Sequence, residues 1–276
     1  MRHTGENIKL TINNLAVSYD DEGPNDAPVI IFIHGFPFNK SMWKEQIEAL
    51  KESYRTIAYD VRGHGNTETG EDEFSIDLFA GDLVSLMDIL KIDKAIICGL
   101  SMGGYIALNA VEKYPERIDA LILSNTQCIA DTAEGKEKRM KTIQSIKENG
   151  VEKYADESLK NFFIPSSFSV KQKIVEEVKH MIVNTPQQTL YNTLQALANR
   201  KETCTHLENI KIPVLVIVGK EDIITPPAMA MQMHKSIKKS SMFILDHAGH
   251  LSNIENQNEF NSQLRLFLDS VSIKSL

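Results

Sequence analysis

The stretch Ile96-Ile97-Cys98-Gly99-Leu100-Ser101-Met102-Gly103-Gly104-Tyr105-Ile106-Ala107-Leu108 decides how the rest of the chain is read. An apolar run ends at Gly99, a serine stands between two glycines, and a helical pattern follows. Gly99-x-Ser101-x-Gly103 fits a nucleophile elbow, a strand-to-helix turn so tight that its serine is held at a strained backbone angle. The glycines are needed because a side chain at either position would collide with the neighbouring strand or helix. Such a turn lifts the serine oxygen to the top of a sheet. It also sets the Met102 N–H at a helix N-terminus, facing any negative charge that develops there.

Outward from this turn the pattern alternates. Ile8 to Tyr19 reads as two short strands around Asn13-Asn14, a hairpin pair, and Asp20 to Pro28 as a polar loop. Val29 to Ile33 is a continuous β-branched run, the signature of a strand covered on both faces in a parallel sheet. It ends at His34-Gly35-Phe36-Pro37, where the Phe36 N–H is expected to be a second donor beside that of Met102, with His34 in a supporting role. Ser41 to Glu52 reads as a helix and Arg55 to Tyr59 as a strand, followed by Asp60-Val61-Arg62-Gly63-His64-Gly65. Asp60 and Arg62 are expected to pair and brace this loop, and His64 to be solvated or to edge a site mouth. Ser75 is an N-cap for the amphipathic segment from Asp77 to Leu90. After the elbow helix, which stops before Pro115, Ile118 to Leu123 is the next strand.

Between Gln127 and His206 strands disappear. Helical patterns cover 134–148, 151–161, 170–183 and 187–198, broken at Gly150, Pro165 and Pro186. A single crossover needs only about a dozen residues, so this segment reads as a helical cap over the serine. The expected division is therefore a core of 1–126 with 207–276, and a cap of 127–206. The sheet resumes at Pro213 to Gly219, Ser241 to Leu245 is the last strand, and a closing helix runs from Asn253 to Val271. The fold class is α/β, with a mostly parallel doubly wound sheet.

Composition narrows the possible functions. The chain of 276 residues is 42% hydrophobic and 24% charged, with net charge −7 and pI near 5.7. That balance argues against nucleic-acid or anionic-membrane partners. No apolar run approaches the ~20 residues of a membrane span, and Met1 to Asn7 lacks the apolar core of a secretory signal, so the cytoplasm is the expected location. Cys98, Cys128 and Cys204 are far apart and odd in number, which does not suggest a disulfide framework. Cys98 is expected to be a small buried hydrophobe. No metal-ligand spacing or phosphate-cradling glycine loop appears, so no metal or cofactor is expected.

A serine hydroxyl needs an adjacent base, and that base needs a carboxylate on its far nitrogen. In chain order Ser101 is followed by Asp222 just past one strand and His250 just past the last. All three fall at C-terminal strand ends, where open α/β sheets place their sites. His34-Gly35-Phe36-Pro37, Asp60-x-Arg62-Gly63-x-Gly65, Gly99-Leu100-Ser101-Met102-Gly103-Gly104, Gly219-x-x-Asp222 and Gly249-His250 together resemble the α/β-hydrolase superfamily over nearly the whole length. Within it the chain is most similar to bacterial carboxylesterases and the 3-oxoadipate enol-lactonase group.

The resemblance implies Ser101 as nucleophile, Asp222 as acid, His250 as base, and the Phe36 and Met102 amides as oxyanion hole. Its spacing favours Asp222 over Glu221 and His250 over His247, leaving Asp246 solvated or structural. Where relatives often carry Glu-x-Pro after the histidine, this chain has Gln257 in the proline position, at the start of the last helix. The implied activity is hydrolysis of a small carboxylic ester or lactone by a monomer or homodimer. Carbon–carbon bond hydrolysis and cofactor-free haloperoxidase or perhydrolase chemistry use the same triad, and some proteins of this fold are ligand-binding regulators. Trp43, Phe162, Phe163 and Met229 are candidates for the substrate pocket.

Overall fold

The β-branched runs form strands buried on both faces, and helices cover those faces. The structure, a computed structural model, describes residues 2–271. Met1, where the polar N-terminal reading begins, lies outside the described residues. The chain opens with the antiparallel strands β1 (Arg2–Ile12) and β2 (Leu15–Pro24). Asn13 and Asn14 turn between them at φ 50° and 62°, angles that asparagine tolerates better than most residues.

Then come β3 (Val29–Ile33), α1 (Lys44–Leu50), β4 (Arg55–Tyr59), α2 (Ile76–Ile89), β5 (Ala95–Leu100), α3 (Met102–Lys113) and β6 (Ile118–Ser124). Five helices follow without a strand: α4 (Ala133–Asn149), α5 (Val151–Phe162), α6 (Ser167–Val170), α7 (Gln172–Val183) and α8 (Gln187–Asn199). The sheet closes with β7 (Val214–Gly219), α9 (Pro227–Ser236) and β8 (Ser240–Leu245), and the described chain ends with α10 (Ser252–Glu255) and α11 (Gln257–Ser270). The eight strands lie in the order β1-β2-β4-β3-β5-β6-β7-β8. β2 runs antiparallel to both neighbours, and β4 through β8 are parallel.

Three departures from the sequence reading have physical causes. Asp20 to Pro24, expected as loop, continues β2, with Asp20 to Glu22 paired to β4 and Asp21 to Pro24 paired to β1. Asp21 is buried there, but Arg55 of β4 reaches it with Nε and Nη2 at 3.0 and 2.7 Å, so the charge is compensated across the strands. The closing helix is broken at Asn256, whose ψ of 58° separates α10 from α11. Finally, Cys128 and Cys204 are joined as a disulfide across 76 residues. The helices α4 to α8 leave the sheet after β6 and return before β7, neighbours in the sheet, so cysteines remote in sequence meet at the base of the insertion. Cys98 is free and buried, as expected of a small hydrophobe.

The elbow works by exclusion of side chains. A Cβ on Gly99 would lie 2.2 Å from the Gly103 carbonyl oxygen, and one on Gly103 would lie 2.2 Å from that of Ile33. The start of α3 is thus driven against the end of β3. Ser101, between them, is held at φ 54° and ψ −111°, a strained setting for a non-glycine residue.

Trp43 is fully buried, with its ring 5.1 Å from that of Phe32 and 6.3 Å from that of Phe260. It fills the core beneath the sheet instead of lining a pocket. Trp43→Ala is therefore expected to cost about 3–5 kcal/mol of stability in urea unfolding. A loss under about 1 kcal/mol accompanied by altered substrate affinity would contradict this placement.

Candidate active site

Ser101, Asp222 and His250 each sit where a strand ends and the chain turns over the top of the sheet. Ser101 follows β5, Asp222 follows β7 and His250 follows β8. His250 is buried, and its Nδ1 lies 2.9 Å from Asp222 Oδ2. An imidazole whose Nδ1–H donates to a carboxylate keeps its lone pair on Nε2. His250 and Ser101 line the same cavity, of about 380 Å³, together with Phe36 and Met102. Among the described residues neither the Phe36 nor the Met102 N–H has a protein acceptor. Both rivals point away. Glu221 is exposed, its carboxylate accepting from the Ala248 N–H. His247 is exposed at φ 55°, and Asp246 is an exposed partner of Lys220.

Asp222 is held from four directions. Its Oδ1 accepts from the backbone N–H groups of Ile224 and Thr225 at 2.9 and 3.0 Å. Its Oδ2 accepts from Thr225 Oγ1 at 2.7 Å, from Asn125 Nδ2 at 2.9 Å and from His250. Burial opposes its ionisation, but the adjacent His250 and these donors prevail and hold the carboxyl at about 2.

Asn125 was not singled out by the sequence. Fully buried at the end of β6 with φ 45°, it also donates to the Gly249 carbonyl at 3.0 Å and accepts from Ser252 Oγ at 2.5 Å. One amide therefore ties the acid loop to the histidine loop. The only sequence signal was an Asn at a strand end, a residue type suited to positive φ.

Glu255, two residues before Gln257, is a second tie. Its carboxylate accepts from the N–H groups of Gly249 and Ile164 at 2.6 and 2.9 Å, and from Ser167 Oγ at 2.6 Å. The Phe162 carbonyl accepts from both His250 N and Leu251 N at 3.0 and 3.2 Å, while its ring stacks on the His250 imidazole at 6.0 Å. The end of α5 is thereby bound to the histidine loop. Of the four pocket candidates, Phe162 lines the cavity. Phe163 is buried beside Phe168, Met229 is half-buried on α9, and neither they nor Trp43 reach the cavity.

The loop after β4 departs from expectation. Asp60 and Arg62 do not pair with each other. Arg62 makes a two-point contact with Asp82 of α2, both distances 2.9 Å, and meets Asp72 at 2.9 Å. Asp60 accepts instead from the Lys40 and Asn66 N–H groups. His64, expected to be solvated, is fully buried beside His34, their ring centroids 5.2 Å apart. His34 accepts from the Val61 N–H at 2.9 Å through Nε2 and donates from Nδ1 to the Gly35 carbonyl at 2.8 Å. This is the expected supporting role, because it fixes the loop that carries the Phe36 amide.

Burial, with the neighbouring His64, pushes the His34 imidazole down to about 3, and burial pushes that of His64 down to about 4. Both stay neutral in the native chain at pH 5, where histidines of the unfolded chain are protonated. The unfolded state then binds more protons, so stability present above about pH 6.5 is lost as pH falls, by about 2 kcal/mol per histidine from pH 7 to pH 5. Urea unfolding at the two pH values should show that loss. In His64→Gln the pH-dependent part should shrink by about half. Equal stability at both pH values would contradict the neutral, buried assignment.

Residues 28–257 match the family model described as alpha/beta hydrolase fold. A 3-oxoadipate enol-lactonase of Acinetobacter baylyi is 32% identical over 252 residues, spanning 91% of this chain and 92% of that protein. Among solved structures, a thermophilic esterase from Thermogutta terrifontis aligns at TM-score 0.91 and 28% identity, covering 98% of this chain and all of that one. An enol-lactonase from Burkholderia xenovorans aligns at TM-score 0.89 and 28% identity, covering 95% of this chain and all of that one. The chain belongs to the alpha/beta hydrolase fold family.

Proposed function

We propose that this chain is a serine hydrolase that cleaves small carboxylic esters or lactones through an acyl-enzyme on Ser101, beneath a cap formed by α4 to α8. The observation that carries this reading is a single cavity lined by a serine at φ 54° and by a histidine whose far nitrogen is bonded to a buried carboxylate. The esterase and enol-lactonase relatives support the substrate class.

In the first half-reaction Ser101 Oγ attacks the ester carbonyl as His250 Nε2 takes its proton. The developing oxyanion accepts from the Phe36 and Met102 N–H groups, preoriented donors of the kind that contribute a large share of acyl-transfer catalysis. Asp222 stabilises the imidazolium and keeps its orientation without itself taking the proton. The alkoxide leaves with the proton from His250. In a lactone it remains tethered to the acyl group, and ring opening replaces release. Water, deprotonated by His250, then attacks the acyl carbonyl and frees Ser101. Phe162, stacked on the imidazole, shields that exchange from bulk solvent.

Ser101→Ala is expected to lower kcat on short 4-nitrophenyl esters by about a thousand-fold or more, with no change in fold by circular dichroism. A variant that retains the wild-type rate would remove Ser101 from the mechanism.

A further inference from the structure

Beyond the nucleophile, α3 carries a row of side chains that leads away from the site. Tyr105 stands one helical turn after Ser101, its N–H donating to the Ser101 carbonyl at 3.2 Å, and Asn109 stands one turn further on. Residues four apart share a helix face, so Ser101, Tyr105 and Asn109 lie in a row about 12 Å long. Tyr105 lines the cavity of about 380 Å³ that holds Ser101. Asn109 lines a second cavity, of about 300 Å³, and Tyr105 lines that one as well.

The second cavity lies between the start of α2, the middle of α3 and the two ends of the helical insertion. Phe74, Ile76, Cys128, Ile129 and Ala196 give it an apolar, buried or half-buried wall, while Glu73, Asp77 and Lys201 are exposed. The end of α8 straddles both spaces: Leu194 and Leu197 line the first, and Ala196 and Arg200 the second. Among the described residues, Tyr105 alone belongs to both linings.

That ring is backed from the far side. The Arg200 guanidinium carbon lies 4.5 Å from the ring centroid, an attractive arrangement for a cation over an aromatic face. Arg200 is itself buried and fixed, donating to Asp131 Oδ1 at 2.6 Å and to the Leu197 and Ile129 carbonyls at 2.7 and 3.0 Å. Among the described residues the Tyr105 hydroxyl has no hydrogen-bond partner. The bulk of the ring, and not a polar contact, therefore divides the two spaces.

We propose that Tyr105 is a partition that sets the longest substrate chain the site accepts, and that the second cavity becomes an aliphatic extension of the site when the ring is removed. This deepens the hydrolase reading and rests on it. A chain running from Ser101 along α3 meets the ring after one helical turn, so the limit falls on chains that would have to pass it.

Two ester series test this, one of 4-nitrophenyl alkanoates with growing acyl chains and one of n-alkyl acetates with growing alcohol chains. The wild-type enzyme is expected to lose kcat/KM sharply past a limiting length in one series, which identifies the arm that faces Tyr105. Tyr105→Ala should move that limit to longer chains. The first ester past the wild-type limit should gain about ten-fold or more relative to the preferred ester, and Tyr105→Phe should keep the wild-type limit. If circular dichroism shows Tyr105→Ala unfolded, Tyr105→Leu replaces it, with the same shift expected. No limit in either series of the wild type, or a length profile unchanged by loss of the ring, would overturn the proposal. If no ester of either series is turned over, the hydrolase reading itself fails. Titration calorimetry with n-alkanoic acids then decides the partition. Binding of longer acids by Tyr105→Ala than by the wild type supports it, and equal length dependence or absence of binding refutes it.

Discussion

The site depends on how closely the first turn of α3 can approach the ends of β3 and β5. With Cβ atoms at Gly99 and Gly103 excluded by backbone oxygens at 2.2 Å, the turn exists only without side chains there, and it forces Ser101 into a strained conformation. The strain is confined because everything around it is fixed. Ser101 N–H donates to the Ser124 carbonyl at 3.0 Å, and the Ser101 carbonyl accepts from Thr126 Oγ1 at 2.8 Å. The end of β6 therefore holds the serine from behind, and the next residue along, Asn125, holds the acid and histidine loops. Three strand ends are linked into one rigid unit through a single short segment, 124–126.

Around that unit the polar atoms divide into those that are satisfied and those left open. Asp222 receives five donors, Arg62 is matched by two carboxylates, and His34 uses both ring nitrogens. Each of these groups is fixed by several bonds, as preorganisation requires. Among the described residues two backbone donors of residues that line the cavity, the amides of Phe36 and Met102, have no protein acceptor. A site that leaves such donors unpaired at its centre is arranged to receive negative charge there, and in the proposed reaction that charge is the oxyanion.

Much of the fold was legible because its signals are local. The buried strand Val29–Ile33 announces itself by unbroken apolar composition, and the Ser75 cap and the Pro115 stop fix helix ends. The order Ser101, Asp222, His250 at strand ends was legible for the same reason. What escaped depends on partners distant in sequence. Nothing local says that Arg55 neutralises Asp21, that Asp82 claims Arg62, or that Cys128 meets Cys204. Pocket composition escaped most completely. Candidates were chosen for apolarity, so Trp43 was included although it belongs to the core, whereas Arg139, Tyr154 and Ser158 were passed over because a charged or polar residue on a helix ordinarily faces solvent.

The claim that joins these observations is that Ser101 is the residue acylated by substrate, and a mechanism-based label tests it directly. Treatment with a 4-nitrophenyl alkylphosphonate, followed by intact-mass and peptide mass spectrometry, should show one phosphonyl group per chain. That group should map to Ser101, and its appearance should track the loss of esterase activity. No adduct at Ser101, or an adduct elsewhere in a chain that has lost activity, would contradict the account.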